Sequence, residues 1–298
     1  MSPDIEISDS KTVSTEFINE IEVLTIERPE CIASISLMGG QVLTFTPHGQ
    51  HPLLWENQRL EIGPRAALRQ GAPICWPWFG PLSQNPVEVS RQFNLKEPPS
   101  HGLVRDRIWE LASLSESEEA TDIVLALRLP ELGLAIAAHY QFNDRLTCRL
   151  VSYNQSKVPL NISFALHTYF AVSDIAHISI HDLDGVPYLD SLERGAKHLQ
   201  NGVVKFDREV DRIYYNTPPL IRIKDAGWNR TISVESAESH SSVVWNPWLE
   251  KSKRLGQFSL DSYKHMVCVE TARAASDFMM LAPHSEESVT VSIRSVSH

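Results

Sequence analysis

Short segments in which apolar and polar side chains alternate with a period of two run through most of the chain, and they restrict its fold more than any other feature. Successive side chains of a strand point to opposite faces, so alternation marks antiparallel sheet with one face buried and the other solvated. From Ile123 to Leu129 every odd position is large and apolar. The runs 134–142 and 146–153, separated by Asn143-Asp144-Arg145, predict a hairpin. Near the end, Val289, Val291 and Ile293 alternate with Thr290, Ser292 and Arg294, and a strand over 32–37 turns at Gly39-Gly40 into another through Phe45. Helical periodicity is scarce. The best candidate is a short helix from Pro247 to Leu255, where Asn246-Pro247 suits a helix start. Two polar, proline-containing stretches, 83–100 and 182–202, are predicted as loops, and the first has the length and composition of a lid. No break divides the pattern. We therefore expect one all-β domain over residues 1–298, built as two packed antiparallel sheets, with residues 1–20 as an extended or flexible N-terminal segment.

At 298 residues such a domain can bury a core without metal or disulfide support. Cys31, Cys75, Cys148 and Cys268 are far apart and form no C-x-x-C, so buried free thiols are expected. The first residues show no basic and apolar signal pattern, and no apolar run approaches a membrane span; a cytoplasmic, membrane-free protein is the expectation. The formal charge of −10 argues against nucleic acid as a partner. An anionic small molecule would need a local basic pocket.

Two strands end in ionisable residues, where burial is costly unless the charge is used or paired. In the run 161–170, alternation puts Ile162, Phe164, Leu166 and Phe170 on one face and Ser163, Ala165 and His167 on the other, among small residues that leave room for a ligand. In Met266-Val267-Cys268-Val269-Glu270 the carboxylate closes an apolar run, and desolvation there would raise its pKa toward that of a general base. Taken singly, each also fits a bland role, as a hydrogen-bonded structural histidine or a solvated strand end. His177 and His181 would stand roughly 13 Å apart in a strand, too far for one metal ion. The segment 69–80 gathers Trp76, Trp78, Phe79 and two prolines within a few residues, either as core or as a platform for the C–H face of a sugar. Arg69 and Arg105, which flank it, suit a clamp on a phosphate or carboxylate; the alternative is ordinary surface ion pairing, for example of Arg105 or Arg107 with Asp106 and Glu110.

Six segments together resemble the aldose 1-epimerase superfamily, and within it the D-hexose-6-phosphate mutarotases: R-Q-G-A-P-I-C-W-P-W-F-G at 69–80, H-G-L-V-R at 101–105, A-L-H-T-Y-F at 165–170, E-V-D-R-I-Y at 209–214, V-W-N-P-W at 244–248 and V-C-V-E at 267–270. Gln70 stands where the family pattern has glycine, which questions the backbone conformation beside Arg69. The resemblance implies a galactose-mutarotase-like β-supersandwich, monomeric and free of cofactor and metal, that interconverts the α and β anomers of a hexose 6-phosphate. By the same match Glu270 would be the general base and His167 the general acid, with His101 and Asp211 positioning the sugar. Arg69 and Arg105 would hold the 6-phosphate, and Trp245 and Asn246 would border the pocket. Arg65, Arg91, Lys96 and Arg107 add positive charge to the same stretch. A mutarotase of unphosphorylated aldoses and a non-catalytic carbohydrate-binding or regulatory module are the competing functions.

Overall fold

The computed structural model describes residues 10–58 and 68–298. The predicted alternation becomes antiparallel sheet throughout. One eight-stranded sheet runs in the order Ile178–His181, Leu220–Asp225, Arg230–Ala237, Glu286–Ser297, Leu146–Asn154, Leu134–Phe142, Thr121–Leu129 and Glu110–Glu116. The predicted hairpin lies within it, with Phe142 opposite Leu146. A second sheet, here the site sheet, runs Ala196–Leu199, Pro187–Asp190, Val210–Tyr215, Ser241–Asn246, Met266–Arg273, Phe164–Leu166 and Ile74–Cys75, with Tyr169–Ala171 also paired to Met266–Arg273. A four-stranded meander, Val13–Ile18 to Gln41–Pro47, and a small pair, Leu160–Ile162 with Met279–Leu281, complete the sheets among the described residues. The helix begins at Trp248, whose N–H donates to the Asn246 side chain at 2.9 Å, and runs to Leu255.

Parity along each strand decides what is buried where. Val267 and Val269 join Leu125, Phe142 and Ile293 in the core between the two large sheets. Met266, Cys268 and Ala272, one residue out of phase, join Ala165, Tyr169, Val243 and Trp245 in a smaller cluster on the other face of the site sheet. That second face carries the candidate chemistry. The four cysteines are buried and free, and Cys75 and Cys268 belong to the smaller cluster.

Two loop expectations need correction, and the N-terminal expectation is made specific. The stretch 182–202 is not a loop: it folds into a hairpin of Pro187–Asp190 and Ala196–Leu199 at the edge of the site sheet. Too short for alternation to show, it is fixed by neighbours, with the Tyr214 hydroxyl donating to Gln200 at 2.7 Å and Arg212 lying 4.7 Å over the Tyr188 ring. Within the N-terminal segment, Val13–Ile18 is a regular strand paired with Ile21–Glu27, while residues 1–9 lie outside the described part. The stretch 83–100 is anchored rather than poised as a free lid. Val89 and Phe93 are buried, and the Gln92 side chain accepts from the Asn161 N–H at 2.8 Å and donates to its carbonyl at 3.1 Å.

Gln70 does not take a positive φ; Gly71 does, at 60°. A Cβ at Gly71 would fall 2.1 Å from the Val42 carbonyl oxygen and 2.7 Å from that of Leu43, so the glycine that the backbone requires is the one the chain keeps, at 71, and not the one replaced by Gln70. Gln70 instead uses its side chain, accepting from the Asn57 N–H at 2.9 Å. Because backbone would have to move, Gly71→Ala should cost about 3 kcal/mol or more of stability. Urea denaturation of the variant against the parent checks this; a cost under about 1 kcal/mol would contradict it.

Candidate active site

Phe164–Leu166 and Tyr169–Ala171 pair with the same strand in one register, Leu166 opposite Thr271 and Tyr169 opposite Cys268. Continued through the gap, that register sets His167 opposite Glu270. On the other side of the strand Val243 faces Glu270 and Trp245 faces Cys268, and Asp211 faces Trp245 one strand further out. A ladder that the apolar residues specify thus brings together side chains a hundred residues apart in sequence. The His167 N–H leaves the ladder and donates to the Pro73 carbonyl at 2.8 Å, tying the strand to the tryptophan-rich segment.

His167 Nδ1 lies 3.3 Å from Glu270 Oε1, with both side chains almost completely buried. The approach is within ion-pair distance but off the line of a hydrogen bond, and Nδ1 and Glu270 Oε2 have no hydrogen-bond partner among the described residues. The imidazole is held between rings: Tyr169 stacks on it at 4.8 Å, and Trp245 and His101 meet it edge-on, each at 5.7 Å. Burial pushes the Glu270 pKa well above the usual carboxylate range; the Asp211 charge adds to this and Arg105 opposes it. Burial likewise pushes His167 well below an ordinary histidine, reinforced by His101, Arg105 and Arg69. Both shifts favour the uncharged forms, a protonated carboxyl group and a neutral imidazole, in two groups that compete for the same proton.

His101 sits at a junction. Its ring contacts His167 and also lines a cavity of about 650 Å³ walled by Asp211, Asn85, Ser191 and Arg194. Its backbone is left-handed, φ 68°, as is that of Gly102, φ 82°. A Cβ on Gly102 would fall 2.0 Å from the Trp76 carbonyl oxygen, so glycine there lets the two segments lock together. The lock is made by the N–H of Leu103 donating to Trp76 and that of His101 to Gly80. Asp211 accepts from Ser191, while burial, the largest influence, raises its pKa. A separate cavity of about 630 Å³, between Trp55, Trp228 and His265, contains none of these groups.

The arginines take different places. Arg69 and Arg105 are part-buried, and both lower the proton affinity of His101 and His167. Neither pairs with a carboxylate among the described residues, and the buried Arg105 Nε has no hydrogen-bond partner there. The alternative of pairing with Asp106 or Glu110 is thus not seen. Arg91, Lys96 and Arg107 are exposed, and Arg65 lies outside the described residues.

Asn246 does not border the pocket. It follows Trp245 on a strand, so it points to the opposite face, where it is fully buried and its amide donates to the carbonyls of Tyr263 and Met266. Alternation assigns only Trp245 to the site. The same parity rule could have found Tyr169, two residues beyond His167. Ser191 and Arg194 stand in the stretch read as loop, and nothing local marked them.

His167, Cys268 and Glu270 have donor atoms within 4.8 Å of one another, the one such trio among the described residues.

The model of the aldose 1-epimerase family matches residues 22–294. A protein of Escherichia coli K12, provisionally named glucose-6-phosphate 1-epimerase, is 30% identical over 274 residues, covering 89% of this chain and 88% of its own. The crystal structure of a Salmonella typhimurium protein provisionally named a mutarotase superposes with a TM-score of 0.87 at 26% identity, covering 97% of this chain and 95% of the other. A galactose mutarotase-like protein of Clostridium acetobutylicum, 16% identical, shares the fold with a TM-score of 0.73 over 97% of this chain and 100% of its own.

Burial and the two arginines push His101 down to about 3. Between about 6.5, its unfolded value, and about 3, the folded state binds fewer protons than the unfolded chain. This histidine's contribution is therefore intact above about 6.5 and is lost as pH falls. His101→Asn, which tolerates the left-handed backbone, should flatten the decline of stability between about pH 6 and pH 4 by about 1.4 kcal/mol per pH unit. Urea titrations at several pH values test it; parallel slopes for the two proteins would refute it.

Proposed function

The chain belongs to the aldose 1-epimerase family and is an isomerase of that type, and we propose that its substrate is a D-hexose 6-phosphate, glucose 6-phosphate first among them. The observation that carries this reading is a pair of buried proton carriers, His167 and Glu270, 3.3 Å apart, beside two arginines without a carboxylate partner among the described residues. A neutral sugar offers such arginines only uncharged hydroxyl acceptors, whereas a phosphate can take charge-assisted bidentate bonds from each.

Anomerisation needs one base and one acid. The base removes the proton on O1 while the acid delivers one to the ring oxygen O5, so that the C1–O5 bond opens to the aldehyde. Rotation about C1–C2 turns the other carbonyl face toward O5, and reclosure returns both protons. With Glu270 as carboxylate and His167 as imidazolium, the pair begins and ends each turnover with the same single proton. His101 and Asp211, which line the cavity, position the hydroxyl groups, and Trp245, edge-on to His167, borders the ring. No other reactant enters the balance.

Removal of either proton carrier should lower kcat by about 10² to 10⁴-fold while the protein stays folded. Anomer-exchange NMR on Glu270→Gln and His167→Ala, with circular dichroism as the control, tests this. Near-parental turnover in either folded variant removes that residue from the pair.

The substrate assignment makes a separate demand. Loss of one charge-assisted bond should cost about 10- to 100-fold in kcat/KM for glucose 6-phosphate in Arg69→Ala or Arg105→Ala, and far less for free glucose. Equal losses on the two sugars would favour a mutarotase of unphosphorylated aldoses. Sugar binding without acceleration of anomer exchange by the parent protein would favour a binding module.

A further inference from the structure

Cys268 has no part in the proton transfers above, yet it lies two residues before Glu270 on the same face of the same strand. Its sulfur, with one donor atom each from His167 and Glu270, completes a trio within 4.8 Å. Nitrogen, thiolate and carboxylate are the ligand set of tetrahedral zinc, whose bonds of about 2.0–2.3 Å place donors about 3.3–3.8 Å apart. The His167–Glu270 separation of 3.3 Å already meets that spacing. Two of the trio's polar atoms, His167 Nδ1 and Glu270 Oε2, are buried with no hydrogen-bond partner among the described residues.

We propose that His167, Cys268 and Glu270 form an inhibitory site for a zinc-like divalent ion, which silences the enzyme by occupying the groups that would carry its protons. The binding half of this proposal stands on the geometry alone; only the inhibition rests on the function proposed above. Charge favours the assignment. A dication, one thiolate and one carboxylate sum to zero, so the occupied site holds no net charge against the positive field of Arg69 and Arg105. Binding releases the thiol proton of Cys268, and the Glu270 proton where that group is protonated, to solvent. Three protein ligands leave a fourth position for water or substrate oxygen, and a softer ion is preferred to magnesium or calcium, which take oxygen ligands.

Cobalt(II), added to the protein in the absence of sugar phosphate, reports binding directly, because a thiolate ligand gives a charge-transfer band in the near ultraviolet. We expect this band at one equivalent in the parent protein, lost on competition with zinc. It should also be absent in Cys268→Ala and in Cys268→Ser, two small substitutions that guard against a folding defect in either. Zinc at low micromolar concentration should slow anomer exchange and a chelator should restore it. Outer-shell changes alone cost metal sites about 10- to 100-fold in affinity, so losing a direct ligand should raise the inhibitory zinc concentration at least about tenfold in both variants. Absence of the cobalt band from the parent protein overturns the proposal. So does an unchanged band, or unchanged zinc sensitivity, in the two variants, which would place the ion elsewhere. A Cys268-dependent band in a protein without anomerase activity would sustain the metal site and remove the function.

Discussion

Burial of one carboxylate in the middle of a sheet is the constraint from which the rest of the site follows. Glu270 is 1% exposed and is flanked in its strand by Val269 and Thr271, themselves buried. A group placed there is pushed toward its protonated form, and a fold retains it only where the resulting proton affinity is useful or a partner shares the load. The partner is His167, set opposite by the register of the ladder. Register in turn is enforced by the apolar residues on the reverse face, since a slip of one residue would turn Val267 and Val269 out of the inter-sheet core and Glu270 into it. Packing on one face thereby sets the geometry of the candidate site on the other.

Legibility in the sequence follows the same physics. Alternation revealed the strands and the faces of His167 and Glu270, because a half-buried strand writes its orientation into its composition. It could not supply pairing, which depends on contacts between residues far apart in the chain; the family resemblance gave the partnership of His167 with Glu270. Motif matching was less discriminating than parity for Asn246, which recurs beside Trp245 because it caps the helix start and ties down the 263–266 backbone. The hairpin at 187–199 escaped notice because its strands are four residues long and half exposed, so they carry no periodic signal. Its place is dictated by tertiary contacts such as those from Arg212 and Tyr214, two residues of the E-V-D-R-I-Y motif. Part of that motif's content is thus a brace for the wall that carries Ser191 and Arg194.

Net charge alone gives a misleading picture of the site. A chain at −10 still presents His167 with a positive local field, because Arg69 and Arg105 act at short range in a desolvated setting where distant surface carboxylates are screened. The field has an uneven reach: both arginines depress the proton affinity of His167, while only Arg105 is among the influences on Glu270. The field thus favours a neutral imidazole, while burial favours the protonated carboxyl group, the form in which Glu270 could not act as a base.

On the proposed function, a phosphate dianion held by the two arginines cancels their field where it is strongest, at His167, and so favours transfer of the proton from Glu270 to the imidazole. The substrate would then create the carboxylate and imidazolium that its own ring opening requires. A free hexose, lacking the dianion, would meet the pair in its resting form. Discrimination between the two sugars would consequently show in kcat as well as in KM, since the phosphate changes the protonation of the catalytic groups and not only the time the substrate spends bound. The arginines are then part of the acid–base machinery through their field, although neither transfers a proton.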